Sequence, residues 1–117
     1  CIDSLHAGGW ACPVDWRTGV ISADAFNNDF ERIPDHPLTG VHFQGFQIPM
    51  WNQALDVVRA VSRRAYELPQ CRLLGWDLAF TPNGVAVIEG NWKQGCDLIQ
   101  YGQGGIYHEL KRLCQKL

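Results

Sequence analysis

Apolar and polar positions alternate with different periods along this chain. Trp51, Ala54, Leu55, Val58, Val61 and Ala65 recur at spacings of three and four, while Asp56, Arg59, Arg63 and Arg64 fall mainly elsewhere. That pattern predicts an amphipathic helix docked on a sheet. Pro49 suits its first turn, where a missing N–H costs nothing and φ is preset, and Pro69 ends it, so the helix is expected over residues 49–67. A shorter helix is expected over residues 106–115. Trp10, Cys12, Val14 and Trp16 alternate as a strand would, Arg17-Thr18-Gly19 supplies a turn, and residues 20–23 form the return strand, with Asp15 near the end of this hairpin. Residues 24–48 show no sustained period and carry Asn27-Asn28, Pro34, Pro37 and Gly40, so they read as a long irregular segment, either a functional loop or a linker.

The most informative stretch is a pair of apolar runs on either side of Pro82-Asn83-Gly84. Pro82 and Asn83 suit the centre of a type I turn, and Gly84 the left-handed position that closes a three-residue loop with a bulge, which pairs Thr81 with Val85. Counting outward, Asp77 then lies opposite Glu89, with Asn91 two residues further along the same face. Trp76, Leu78, Phe80, Ala86 and Ile88 form the other face and are expected to pack under the helix. A two-residue turn would instead send Asp77 and Glu89 to opposite sides. Two carboxylates directly opposite repel each other unless a cation or proton intervenes. A divalent cation such as magnesium, held by one or two carboxylates with the Asn91 carbonyl, resolves the conflict. The competing reading is a solvated or salt-bridged pair on an ordinary half-exposed sheet.

Composition narrows the field. With 46% hydrophobic and 19% charged residues over 117 positions, the chain can bury a core. A formal charge of -2 and no Lys/Arg run argue against nucleic acid as a partner. No apolar stretch approaches the ~20 residues that span a bilayer, and no charged-then-apolar leader is visible, so the chain reads as soluble and cytoplasmic. Five cysteines, widely spaced and without Cys-x-x-Cys, read as reduced, mostly buried thiols rather than a zinc site.

Gly75-Trp76-Asp77-Leu78-Ala79-Phe80-Thr81, then Gly84, then Ile88-Glu89-Gly90-Asn91, resembles the ATP-grasp pattern of an aspartate strand followed by a Glu-x-Asn strand. Val14-Asp15-Trp16-Arg17-Thr18-Gly19, His36-Pro37-Leu38-Thr39-Gly40 and Gly45-Phe46-Gln47-Ile48-Pro49-Met50-Trp51 are similar to the sugar-transfer-associated group of that superfamily. The resemblance implies an α+β fold, the carboxyl-terminal lobe of an ATP-grasp enzyme, with residues 1–117 forming a single partial domain. The chain opens at Cys1 within structured-looking sequence, which fits an upstream lobe lying outside it. The implied activity is ATP- and magnesium-dependent joining of a small-molecule carboxylate to an amine through an acyl phosphate, associated in the group with polysaccharide or cell-surface biosynthesis. Asp77, Glu89 and Asn91 are then the metal and nucleotide ligands, with Mg2+ or Mn2+ as the ion. Lys93 and His36 are the candidate catalytic residues, each with a plainer reading: a solvated lysine, and a histidine that hydrogen-bonds its own loop. Better-known ligases place an arginine two residues before the metal aspartate, where this chain has Gly75; Arg72 or Lys93 would substitute. The lysines and adenine-reading hinge of these enzymes lie upstream, so the fragment alone is expected to hold metal weakly and to be inactive.

Other signals lead less far. Gly102-Gln103-Gly104-Gly105 reads as a turn and Cys96 as a packed thiol. Two rival functions stay open: a degenerate nucleotide-binding module, and a non-catalytic interaction domain using Trp10, Trp16, Trp51 and Trp92, although tryptophans usually sit in the core.

Overall fold

A computed structural model describes residues 5–68, 73–92, 100 and 105–115 of the chain. The described residues form small antiparallel sheets and helices, the α+β class expected. The chain divides into two compact units: Cys1–Ile48 with Asp97–Ile106, and Pro49–Cys96 with Tyr107–Leu117.

In the first unit, β1 (Val14–Asp15) pairs with β2 (Val20–Ile21), Val14 opposite Ile21 and Asp15 opposite Val20. The Asp15 carbonyl accepts from Thr18 N at 3.2 Å and Gly19 N at 2.7 Å, and Gly19 takes a φ of 74° that suits glycine. The strand is shorter than the Trp10–Trp16 alternation implies. Pro13 has no N–H for a ladder and contributes only its carbonyl, to Ser22 N. Segment 24–48 is less irregular than its composition suggests. It contains a second hairpin, β3 (Ala25–Phe26) with β4 (Arg32–Ile33). Its strands are too short to show a period, and its turn is organised by the Asn27 side chain, whose Oδ1 accepts from Asp29 N and Glu31 N at 3.0 Å. Ile21, Ala25 and Phe26 are the buried centre of this unit.

The second unit pairs a helix with a hairpin. Helix α1 (Trp51–Ala65) starts two residues later than Pro49 suggests, because Met50 takes a φ of 56° as its N-cap. Pro49 therefore precedes the helix instead of opening it. The expected stripe is inward: Ala54 is buried and Trp51, Leu55, Val58, Val61 and Ala65 are half-buried. Helix α2 (Tyr107–Cys114) lies within the expected range.

Strand β5 (Gly75–Thr81) pairs with β6 (Gly84–Asn91). Thr81 faces Gly84, so the loop is the two-residue Pro82-Asn83 turn and not the expected three-residue one. Thr81 Oγ1 donates to the Gly84 carbonyl at 2.8 Å and accepts from Asn83 N at 3.2 Å, which closes the turn with the side chain of its first residue. Further along, Leu78 faces Val87 but Asp77 faces Glu89, so Ile88 is an extra residue, a β-bulge. Ile88 is 66% exposed and Ala86 is exposed too, which corrects the expectation that both pack under the helix. Trp76 and Phe80 do reach α1: Trp76 Nε1 donates to Ser62 Oγ at 2.9 Å, and Phe80 stacks on Trp51 with ring centroids 6.4 Å apart.

Across the sheet, the Trp76 ring lies over Gly90, where a Cβ would approach Cζ3 to 2.5 Å. Gly90→Ala must displace the indole and weaken its bond to Ser62, at an expected cost of about 1–3 kcal/mol in urea unfolding. The same substitution in a Trp76→Ala background should cost much less, and equal costs in both backgrounds would refute the clamp.

Candidate metal-binding site

The bulge decides which side chains meet. Below it, Asp77 and Glu89 are direct cross-strand partners, and Asn91, two residues past Glu89, projects from the same face. The partner of Asn91 is Gly75, which has no side chain, so the amide has room to lean across to β5. Asn91 Nδ2 donates to Glu89 Oε1 at 2.9 Å and to Asp77 Oδ2 at 3.3 Å. Both carboxylates are exposed, and Asn91 is half-buried.

Lost hydration raises the Asp77 carboxyl above its ordinary range, and a hydrogen bond with Glu89 and the Glu89 charge raise it further. Among the described residues no basic side chain pairs with Asp77 or Glu89; the ion pairs are His42–Asp35, Arg59–Asp56 and Arg112–Glu109. The salt-bridged alternative for this pair thus has no basic partner there. What sits between the carboxylates is the partly positive amide NH2 of Asn91. Rotating that amide by half a turn would present its Oδ1, giving three hard oxygen donors on one face. Such a set fits magnesium or manganese and suits neither soft nor nitrogen-seeking metals. Among the described residues no cluster of three or more His, Cys, Asp or Glu forms a metal cage. Two carboxylates and an amide leave coordination positions for water or phosphate, as magnesium prefers.

The other predicted residues fall elsewhere. His36 belongs to the first unit, where its Nδ1 accepts from Leu38 N and Thr39 N, each at 3.3 Å, and its ring is tilted against Phe43 at 5.9 Å. That geometry matches its plainer reading as a loop-stabilising group. Lys93, Arg72, Cys96 and residues 102–104 lie outside the described residues. Cys12 is a half-buried free thiol, raised by burial and then by the Asp24 charge. Trp10, Trp16 and Trp92 are exposed, against the usual preference of tryptophan for the core, whereas Trp51 is half-buried. Sequence reasoning missed the Trp76–Ser62 bond and the bulge at Ile88. Gly90 between two ligand-type residues was the available sign that something crosses the strand there.

The described residues form an α+β chain whose main hairpin gathers Asp77, Glu89 and Asn91 on one face. The chain belongs to the sugar-transfer associated ATP-grasp family, whose model matches residues 2–115. No curated protein and no solved structure matches it. Among the described residues no helix is long and apolar enough to cross a membrane.

A pH dependence follows from the raised Asp77. A carboxyl raised in the folded state favours folding most while protonated, below its unfolded pKa, and that contribution is lost as pH rises through the folded value. Asp77→Asn removes the titration. In metal-free buffer its stability relative to wild type should therefore increase between acidic and neutral pH, as read by thermal unfolding across a pH series. A flat difference would show that the Asp77 carboxyl is not raised in the folded chain.

Proposed function

We propose that the chain is the carboxyl-terminal lobe of an ATP-grasp ligase, in which Asp77, Glu89 and Asn91 hold the magnesium ions of a bound nucleotide. The observation that carries the reading is the pair of directly opposed carboxylates with no basic partner among the described residues, bridged only by an amide that can turn to offer oxygen. Family membership supports the nucleotide as the ligand and a carboxylate and an amine as the substrates. Magnesium, when bound, offsets the charge on the terminal phosphates as the γ-phosphoryl group moves to the carboxylate. Asp77 and Glu89 supply the fixed negative charge, and Asn91 orients the pair. The Trp76–Gly90 contact, next to Asp77 and Glu89 in the ladder, holds the two strands in register. The amine nitrogen bonds to the acyl carbon as the C–O bond to phosphate breaks, releasing inorganic phosphate and a proton without any side-chain nucleophile, so the chain's task is positioning and electrostatic stabilisation. Lys93, just beyond β6 in sequence, is the residue we assign to the phosphate or acyl phosphate.

A second reading, a degenerate module that holds nucleotide without turning it over, is favoured by Gly75. The arginine of better-known ligases is missing there, and the space serves Asn91 instead.

Manganese serves as the probe for both readings. Titrating Mn2+ into the chain should broaden the NMR signals of Asp77, Glu89 and Asn91 first. Glu89→Gln and Asp77→Asn should each weaken that effect by about tenfold or more. Magnesium-dependent ATP binding by the full-length protein, measured by calorimetry, should fall in parallel. Broadening that is unchanged in both folded variants would sink the metal assignment.

A further inference from the structure

Helix α1 meets the β5–β6 hairpin on the face behind the acidic one. We propose that Ser62 of α1 is a positioning residue of the metal site: through the Trp76 indole it fixes the spacing of β5 and β6, and so favours a small cation such as magnesium over calcium. The inference rests on the metal reading above and adds a selectivity that the three ligands alone do not set.

The need for a spacer comes from where the ligands sit. Asp77 is on β5, while Glu89 and Asn91 are on β6, so the opening between their oxygens is set by the distance and twist between two strands. Magnesium demands a near-ideal octahedron at about 2.1 Å, whereas calcium accepts more oxygens at about 2.3–2.6 Å in looser geometry. A wider or wavering gap therefore costs magnesium more. The ladder alone holds the gap poorly. A two-stranded sheet is marginal, the extra Ile88 interrupts the pairing beside Asp77 and Glu89, and the two carboxylates push apart.

The missing constraint comes from the opposite face, to which Trp76 points as the sequence neighbour of Asp77. Trp76 faces Gly90 across the ladder, one step from the Asp77–Glu89 pair on one side and the Gly75–Asn91 pair on the other. Its ring lies so close that a Cβ at position 90 would meet Cζ3 at 2.5 Å, Cε3 at 2.9 Å and Cη2 at 3.2 Å. The flat ring thus rests on the β6 backbone between two ligand residues. Its Nε1 donates to Ser62 Oγ at 2.9 Å in a half-buried setting, which ties the ring to the helix. Four residues along β5, Phe80 stacks on Trp51 with an angle of 7° between the rings. The helix therefore grips β5 on both sides of the bulge, and the anchored indole carries that grip to β6.

Mg2+ and Ca2+, each titrated into the full chain and followed through the amide NMR signals of Asp77, Glu89 and Asn91, provide the test. Ser62→Ala removes the hydroxyl at a helix position where alanine is the better helix former, so α1 should stay folded. It should weaken Mg2+ by about tenfold and Ca2+ by much less, raising the calcium-to-magnesium affinity ratio several-fold. Ser62→Thr keeps an Oγ and should retain the wild-type ratio. Trp76→Phe keeps a ring over Gly90 without the N–H and should reproduce the alanine result. Glu89→Gln, which removes a ligand, should weaken both ions. An unchanged ratio in folded Ser62→Ala and Trp76→Phe, including an equal loss of both ions, would overturn the role of Ser62 while the metal site stands on the Glu89→Gln result. Ion binding by folded Glu89→Gln equal to wild type would overturn the metal site and this inference with it.

Discussion

The backbone ladder between β5 and β6 has to absorb one extra residue, and the candidate site depends on where it does so. From the turn inward, Thr81 to Leu78 pair in a register set by a two-residue loop. Continued, that register would put Asp77 and Glu89 on opposite faces, since side chains alternate at every step. Ile88 drops out of the ladder, the pairing moves by one, and the two carboxylates become partners. The cost is visible at the bulge itself, where an isoleucine is left largely in water. On the far side of the shift, the indole of Trp76 lies over Gly90 and is anchored on Ser62 of α1, so the register beside the carboxylates is held by packing from the helix as well as by the ladder.

This shows how the sequence supported a sound pairing by a partly mistaken route. The three-residue loop expected from Pro82-Asn83-Gly84 and the observed two-residue loop plus bulge lead to the same partners for Asp77, because each inserts one residue into β6. Gly84 does take a positive φ of 121°, as the turn chemistry requires, but within the strand. What no local pattern encodes is where along a run such as Val85-Ala86-Val87-Ile88 the extra residue will sit. That choice is made by contacts distant in sequence, among them Trp76 with Ser62 and Phe80 with Trp51.

The same distinction separates what was legible elsewhere. The α1 stripe repeats over four turns, long enough for periodicity to outvote any single residue, and it was read correctly except at its start. There a proline preference gave way to the left-handed Met50. The β3–β4 hairpin was missed because two-residue strands carry no period. Its signal lies in one side chain, Asn27, which takes two backbone N–H groups and ties its amide to Glu31 at 2.8 Å. His36 and Thr81 act alike, each spending side-chain acceptor capacity on the turn that contains it. Around turns and the two-residue strands β1 to β4, side-chain acceptors thus replace part of the ladder.

That economy makes the acidic pair of β5 and β6 more telling. A two-stranded sheet is marginal by itself, and placing like charges opposite each other on it is a destabilising arrangement. Elsewhere among the described residues Asp56 pairs with Arg59 and Glu109 with Arg112, while Asp35 hydrogen-bonds His42. Asp77 and Glu89 meet an amide whose two ends have opposite polarity. With its nitrogen inward, Asn91 relieves the repulsion; with its oxygen inward, it would be the third ligand of the metal site proposed above. A lysine in its place would offset one of the two negative charges permanently and repel a metal, whereas a third acid would increase the repulsion in the metal-free state. Asparagine suits both states, and this gives the Glu-x-Asn spacing a physical reason in the electrostatics of the hairpin itself.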